Sequence, residues 1–506
     1  MSSPRWDWIV VGAGAAGAVL AERLTAGGDA RLLLLEAGPD FRTRDTPPDF
    51  LHRDTHNATP VERNPDFWWP HLEARRTPTQ PRRFYARGRG AGGSSTVNGL
   101  ISIRGIAEDF DGWAAAGAGG WSFADVLPSF CRLEDELDFP GAPYHGRGGP
   151  IPIYREPPAG WGGMDQALGE AALALGYGWA DDHNAPAATG ASPLAMNIRH
   201  GRRVSTNDAY LEPARERANI EVRGSTLVDR VLIDRAGRAS GVLTAAGERF
   251  ELERGGEVAV CAGAVHSPAI LMRSGIGPPA DLRRLGIDVV ADLPVGEGFQ
   301  DHPAVWFDVP IRSDRMQSLG GRHTNLAIRY SSGLAGGGPN DMMVLAMNHV
   351  LAAPNAGFSI WVNRCFSRGR VRLVSRDPEV DPEVDIGMLE DERDRLRLED
   401  GVERAREIIE SPPLASIRTG PPGVPAKSRL AELASDAKHS SGGCRMGRRG
   451  DPATVVDPDC RVLNVEGLRV ADNSITPEIV RGNTFLTAVM IGEHAVTRIR
   501  SAAVRQ

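Results

Sequence analysis

Residues Asp7 to Gly17 read DWIVVGAGAAG, and this stretch decides the fold. Asp7 to Val11 is a short apolar strand, Gly12, Gly14 and Gly17 follow in the spacing G-x-G-x-x-G, and a small-residue helix runs on to about Ala26. Gly12 permits the tight turn, Gly14 lets backbone approach a pyrophosphate, and Gly17 lets helix and strand close up, so that phosphate oxygens face the helix N-terminus with Ala15 and Ala16 beside them. A second strand, Arg31 to Leu35, ends in Glu36 and Ala37, where a carboxylate reaches ribose hydroxyls. A phosphate on the 2′ oxygen would be repelled by Glu36, so FAD or NAD fits and NADP fits poorly. The expected fold class is α/β, with a doubly wound, Rossmann-like sheet.

With 506 residues the chain is longer than a single core supports, which predicts two domains. The 58 basic and 65 acidic residues leave a net charge of −7, and no basic stripe is interleaved with aromatics, so nucleic acid is not an expected partner. No apolar run reaches the roughly eighteen residues of a membrane span, and the N-terminus lacks the pattern of a secretion signal; the cytoplasm is the expected location. Five scattered cysteines, none in C-x-x-C spacing, predict reduced thiols rather than a disulfide framework or a zinc site. No metal is expected. The charged stretch Leu389 to Glu410 reads as one solvated amphipathic helix.

Four further segments complete the pattern. Gly88 to Gly99 (GRGAGGSSTVNG) is a run of small residues that can press against a flat ring or a phosphate. Cys261 to Gly277 (CAGAVHSPAILMRSGIG) follows an apolar strand, Val258 to Val260, and again turns on glycine into a helix. His439 to Gly447 reads HSSGGCRMG, and the strand Leu468 to Ala471 ends in Asp472, ahead of Arg481-Gly482-Asn483. Together these segments resemble the glucose-methanol-choline (GMC) oxidoreductases, a family of FAD flavoenzymes. Both long family signatures are present, at Arg87 to Arg104 and at Gly263 to Gly277, and the resemblance covers nearly the whole chain.

The resemblance implies a role for each matched residue. Gly12, Gly14, Ala15, Ala16, Gly17, Glu36 and Ala37 would hold the pyrophosphate and adenine ribose. Arg87, Gly92, Gly93, Ser94, Thr96, Val97, Asn98 and Gly99 would pass over the flavin, Val228 would meet the adenine edge through its backbone, and Ala262, Gly263, Asp472, Asn473 and Thr484 would complete the cofactor site. Some relatives tether FAD to a histidine at the position of Val97, whose side chain has no nucleophilic atom, so the FAD is expected to be non-covalent. His439 falls on the active-site histidine and Asn483 on the position where relatives carry Asn or a second His. The chemistry implied is oxidation of a primary or aromatic alcohol to the carbonyl: a neutral imidazole takes the hydroxyl proton while hydride leaves for flavin N5. The electrons would pass to O₂ or to a quinone or other carrier. Asn483 would donate a hydrogen bond to the developing alkoxide, and it is also a candidate N-cap for a last helix from Thr484 to about Arg500. Within the family, a hydroxynitrile lyase-like activity with structural FAD and a light-driven fatty acid decarboxylase are the alternative activities; outside enzymology, a flavin-binding structural or sensor protein has no use for a poised base.

Several residues read as supporting ones. His266, Asp301 and His302 suggest packing and hydrogen bonding rather than catalysis. Ser440 and Gly443 depart from the Pro and Thr of many relatives, and Lys438 stands where some aryl-alcohol-oxidising relatives place an aromatic residue. Its ammonium either faces water or faces the pocket, where it could meet a substrate carboxylate or lower the pKa of His439. The FAD domain is expected from 1–41, 84–110, 219–300 and 455–506, and an α+β substrate domain from 111–218 and 301–454. Residues 42–83 form a lid or connecting segment in this reading. Strands around Asp341 to Ala346 and Phe358 to Val362 would lie in the substrate domain, with Met343, Leu345 and Trp361 as candidate pocket walls.

Overall fold

A computed structural model describes residues 4–51, 61–317, 320–349 and 356–504. Part of the expected lid, 52–60, lies outside the described residues. The apolar opening run forms β1 (Arg5–Val11), α1 spans Gly17–Thr25, and β2 spans Leu32–Leu35. β1 and β2 are parallel, and β1 also runs parallel to the strand Arg249–Val260, paired from Glu251 to Val260 with one register shift between Trp6 and Trp8. Ile220–Arg223 extends the sheet beyond β2 and Leu468–Val470 pairs with Val258–Val260, both in parallel, while Val228–Ile233 and Ala239–Thr244 add an antiparallel meander. The parallel part is buried on both faces, which is why its strands are continuous runs of Val, Ile and Leu without alternation.

Register makes this sheet useful. Val11 lies opposite both Leu35 and Val260, and Val260 lies opposite Val470. Four strands therefore end level, and Gly12, Glu36, Cys261 and Ala471 leave the sheet along one edge, where an open α/β sheet binds its ligand.

A six-stranded antiparallel sheet stands across from that edge, in the order Ser435–Asp436, Pro303–Asp308, Gly357–Val362, Met342–Met347, Leu326–Tyr330, Gly190–Pro193. One of its faces is covered by helices. Met342, Val344, Ala346, Phe358, Ile360 and Val305 pack in one core with helices Gly163–Ala174 and Glu392–Glu410, each of the larger buried side chains contributing about 1.5–3 kcal/mol. The helix Glu392–Glu410 is only partly solvated. It buries Leu398, Val402, Ala405, Ile408 and Ile409 at helical spacing, and it also takes Asp394 and Arg397 inside. Both charges are met there: Asp394 accepts from the backbone N–H groups of Phe366 and Ser367, and Arg397 pairs with Asp341 at 2.9 Å.

A third sheet has the order Glu297–Phe299, Gly369–Arg372, Glu383–Asp385, Glu73–Arg75, Arg83–Phe84. Glu297–Phe299 thus leaves the dinucleotide sheet even though the segment 219–300 supplies four strands to it. The stretch 139–163 holds the short strand Ile151–Ile153 and a turn of 3₁₀ helix, Pro158–Gly160, between loops.

Candidate active site

Between the level strand ends and the six-stranded sheet lies one large cavity. Its dinucleotide side is built from the glycine loop. Gly12 has φ +103°, and a Cβ on it would sit 2.5 Å from the carbonyl oxygen of Cys261. A Cβ on Gly17 would lie 1.9 Å from the carbonyl oxygen of Gly12, so this glycine closes helix onto strand and stays behind the wall. Gly14 differs: a Cβ there would meet only the Cα of Gly93, 4.0 Å away, because its other side is cavity.

Glu36 is buried on the cavity wall. Its carboxylate accepts backbone N–H bonds from Ala13 at 2.7 Å, Gly38 at 2.9 Å and Gly90 at 2.8 Å. Burial raises its pKa, and the three amides work against that shift. Asp472 is similarly enclosed: it accepts from the backbone N–H of Gly263 at 2.8 Å, the Ser267 hydroxyl at 2.6 Å and the backbone N–H of Ser474 at 2.7 Å. It therefore ties the helix Gly263–Arg273 to the strand end that carries it. The loop over the cavity is held from behind, where Arg203 donates to the Ser95 carbonyl and to Asn98 Oδ1, each at 2.7 Å.

The six-stranded sheet supplies the other wall. Ala304, Trp306, Leu345, Met347, Ser359 and Trp361 all face the cavity, on the sheet face opposite the helical layer. Of the residues assigned to the site from sequence, only Gly17, Gly92, Thr96 and Met343 do not line it. Gly17 is the helix–strand contact above; Gly92 donates its N–H to the Ala13 carbonyl, and Thr96 gives its hydroxyl to the Ala91 carbonyl. Met343 shares the face of Leu345 but sits two residues farther from the cavity, buried with Ile103, Leu194 and Ala327. Trp306, Met347 and Ser359 went unassigned. Met347 has the parity of Leu345 and was readable from strand alternation; Trp306 needed the strand pairing itself.

His439 and Asn483 meet in this wall, with Asn483 Nδ2 3.1 Å from His439 Nε2. On the other side of the ring, His439 Nδ1 is 2.9 Å from His302 Nδ1, and His302 Nε2 is 3.0 Å from the Val480 carbonyl oxygen. These partners assign the protons. A carbonyl only accepts, so His302 Nε2 carries hydrogen and, in the neutral ring, His302 Nδ1 accepts. His439 Nδ1–H then donates to it, leaving a lone pair on His439 Nε2 that receives the Asn483 amide. Burial, with like-charge repulsion from His302, Arg87 and Lys438, holds the pKa of His439 well below its usual value; burial lowers that of His302 to about 4. Both rings are neutral at pH 7.

Asp301 fixes this pair from below. Its Oδ1 accepts the backbone N–H groups of both His302 and His439 at 2.8 Å, and its Oδ2 accepts from the Tyr85 hydroxyl at 2.6 Å and from Arg87 Nη2 at 3.3 Å. Burial, and then the nearby Asp436, push its pKa up to about 6. Arg87 also donates to the Lys438 carbonyl at 2.6 Å, so its guanidinium lies beneath the histidine segment. Asn483 is not a cap: the last helix spans Phe485–Val504, and the Asn483 side chain turns to His439.

The site fits a flavin dinucleotide. A helix N-terminus with no acid in its first turn stands beside Gly14, Ala15 and Ala16 for a pyrophosphate, and buried Glu36 stands where a ribose would lie. On the same wall the buried side-chain oxygens Oδ1 of Asn473 and Asn483 have no hydrogen-bond partner in the protein, so both are free to accept from a ligand. Val97 offers no atom for a covalent tether. Among the described residues no group of three or more His, Cys, Asp or Glu could hold a metal, all five cysteines are free, and no helix is long and apolar enough to cross a membrane.

Comparison with known proteins agrees with this geometry. Residues 6–304 and 365–492 match two family models, both described as GMC oxidoreductase. The chain is 35% identical to 5-(hydroxymethyl)furfural oxidase of Methylovorus sp. (strain MP688), over 99% of this chain and 100% of that protein. It is 36% identical to an oxygen-dependent choline dehydrogenase of Ectopseudomonas mendocina (strain ymp), over 98% and 94% of the two chains. Among solved structures, pyridoxine 4-oxidase from Mesorbium loti superimposes with a TM-score of 0.87 at 28% identity, covering 98% of this chain and 99% of that one.

Proposed function

Because the chain belongs to the GMC oxidoreductase family and is an FAD-dependent oxidoreductase, we propose that it oxidises a primary or aromatic alcohol to the carbonyl, with His439 as the base. The observation that carries this reading is the chain Val480 carbonyl, His302, His439, Asn483, which leaves an unprotonated nitrogen on a buried cavity wall. The relatives named for hydroxymethylfurfural, choline and pyridoxine all carry names of enzymes for hydroxyl-bearing substrates, which supports the same reaction class.

FAD supplies the hydride acceptor when bound. The alcohol oxygen takes the place of the contact between His439 Nε2 and Asn483 Nδ2, within reach of both. His439 Nε2 removes the hydroxyl proton; Asn483 donates to the oxygen as negative charge grows on it. The new imidazolium keeps its Nδ1–H on His302, whose own ring stays neutral because burial opposes a second charge. His302 and Asp301 are positioning residues: one fixes the tautomer, the other holds both backbones. Trp361, with its ring centroid 5.2 Å from that of His439, and Trp306 give the pocket the flat apolar walls that suit an aromatic alcohol.

The test is anaerobic titration of the holoprotein with benzylic, furanic and aliphatic alcohols, followed by air. Bleaching of the oxidised flavin band by one class is the expected outcome, and rapid return in air identifies O₂ rather than a quinone or other carrier as the acceptor. Bleaching by dithionite but by no alcohol would refute the proposal.

A further inference from the structure

The charged residues on the cavity wall are Glu36, Arg87, Arg273, Asp436, Lys438 and Asp472. All but one are engaged. Glu36 and Asp472 are satisfied as described, Arg87 holds Asp301 and the Lys438 carbonyl, Arg273 is 3.2 Å from Asp229, and Asp436 accepts from Arg76 Nε at 2.6 Å. The ammonium of Lys438 makes neither hydrogen bond nor ion pair with any described residue. Lys438 is exposed, and it lines the cavity.

Its backbone is also imposed. Lys438 has φ +65°, a left-handed conformation that residues with a Cβ adopt only where the surroundings over-determine it. Arg87 pins its carbonyl on one side and Asp301 holds the N–H of His439 on the other. The cation acts on His439 by like-charge repulsion and is near enough to Asp301 and Arg87 to feel their charges, so it belongs to the end of the cavity where the proton is taken.

Resting on the alcohol-oxidation reading, we propose that Lys438 is the counter-ion for a carboxylate on the substrate, and that the pocket selects flat primary alcohols bearing an anionic group away from the carbinol carbon. The apolar part of such a molecule lies against Trp306, Trp361, Leu345 and Met347, and the unpaired ammonium meets the carboxylate. A neutral analogue leaves that cation unpaired, which is where the discrimination arises.

The experiment compares para-(hydroxymethyl)benzoate with its neutral isostere para-(hydroxymethyl)benzamide in the wild type, Lys438→Met and Lys438→Arg. The ratio of kcat/KM, carboxylate over amide, falls about tenfold or more in Lys438→Met and is largely retained in Lys438→Arg. A parallel arm measures the Kd of benzoate and benzamide from their perturbation of the flavin absorbance band, and benzoate alone weakens in Lys438→Met. An unchanged ratio in both arms overturns the assignment while leaving alcohol oxidation standing. If no alcohol reduces the flavin, the reaction assignment fails and the binding arm alone decides Lys438. A variant whose only defect is slower reoxidation in air also overturns it, because the charge then serves the acceptor step.

Discussion

The free lone pair that suits His439 to the proposed role of base depends on two neighbours, neither of which is adjacent to it in sequence. The lone pair on Nε2 depends on His302 accepting at Nδ1, and His302 accepts there because the Val480 carbonyl takes its other proton. The pH dependence follows with a definite sign. The proposed mechanism needs neutral His439, and burial lowers its pKa below the ordinary value of about 6.5, so kcat/KM is lost only as pH falls through a value below 6.5. A profile whose acid limb lies above pH 7 would contradict the assignment. Asn483→Ala removes a donor to the developing alkoxide and lowers kcat about a hundred- to a thousandfold with that acid limb still present, measured by steady-state kinetics across pH. His439 and Asn483 were legible because each sits inside a family-like segment. Asp301 and His302 were read as hydrogen-bonding residues, but their partners, and any part for Tyr85, were not, since these contacts join residues more than a hundred positions apart.

Among the elements, the glycine turn after β1 separates two uses of the same residue. A Cβ on Gly17 collides with the carbonyl of Gly12 at 1.9 Å, whereas a Cβ on Gly14 enters cavity space. Gly17→Ala therefore disturbs the packing of α1 on β1, and the purified variant shows a lowered Tm with little flavin. Gly14→Ala keeps the wild-type apoprotein Tm and raises the Kd for FAD, read by flavin fluorescence during reconstitution. Equal Tm losses in both variants would mean that Gly14 is a packing residue after all. The starts of these elements were readable to within a residue or two: β2 begins at Leu32 rather than Arg31, and the last helix begins at Phe485 rather than Thr484, though it runs on to Val504, past the expected end near Arg500. The strand ending at Val260 is longer than its apolar part suggests, because its polar first half, Arg249 onward, belongs to the antiparallel meander. Alternation gave Leu345 and Trp361 correctly as cavity walls but not Met343, since parity fixes the face of a strand and not how far along it the cavity extends.

At the scale of the molecule, the site exists only where two sheets face each other. The dinucleotide sheet contributes the level strand ends, the antiparallel sheet contributes the aromatic wall, and the histidine segment follows the short strand Ser435–Asp436 at the edge of the second sheet. Interleaved segments were readable as family-like stretches, but their joining by a third sheet was not, because strands as short as Glu73–Arg75 and Arg83–Phe84 leave no periodic signal. In the proposed reaction this assembly takes a proton from an alcohol through His439 while hydride leaves carbon. Its most direct test is anaerobic rapid mixing of wild type and His439→Ala holoprotein with para-(hydroxymethyl)benzoate and its α,α-dideuterated form, following the oxidised flavin band. The account predicts a primary isotope effect on wild-type bleaching and a rate about a hundred- to ten-thousandfold lower in His439→Ala at unchanged FAD content; bleaching at the wild-type rate in the variant would contradict it.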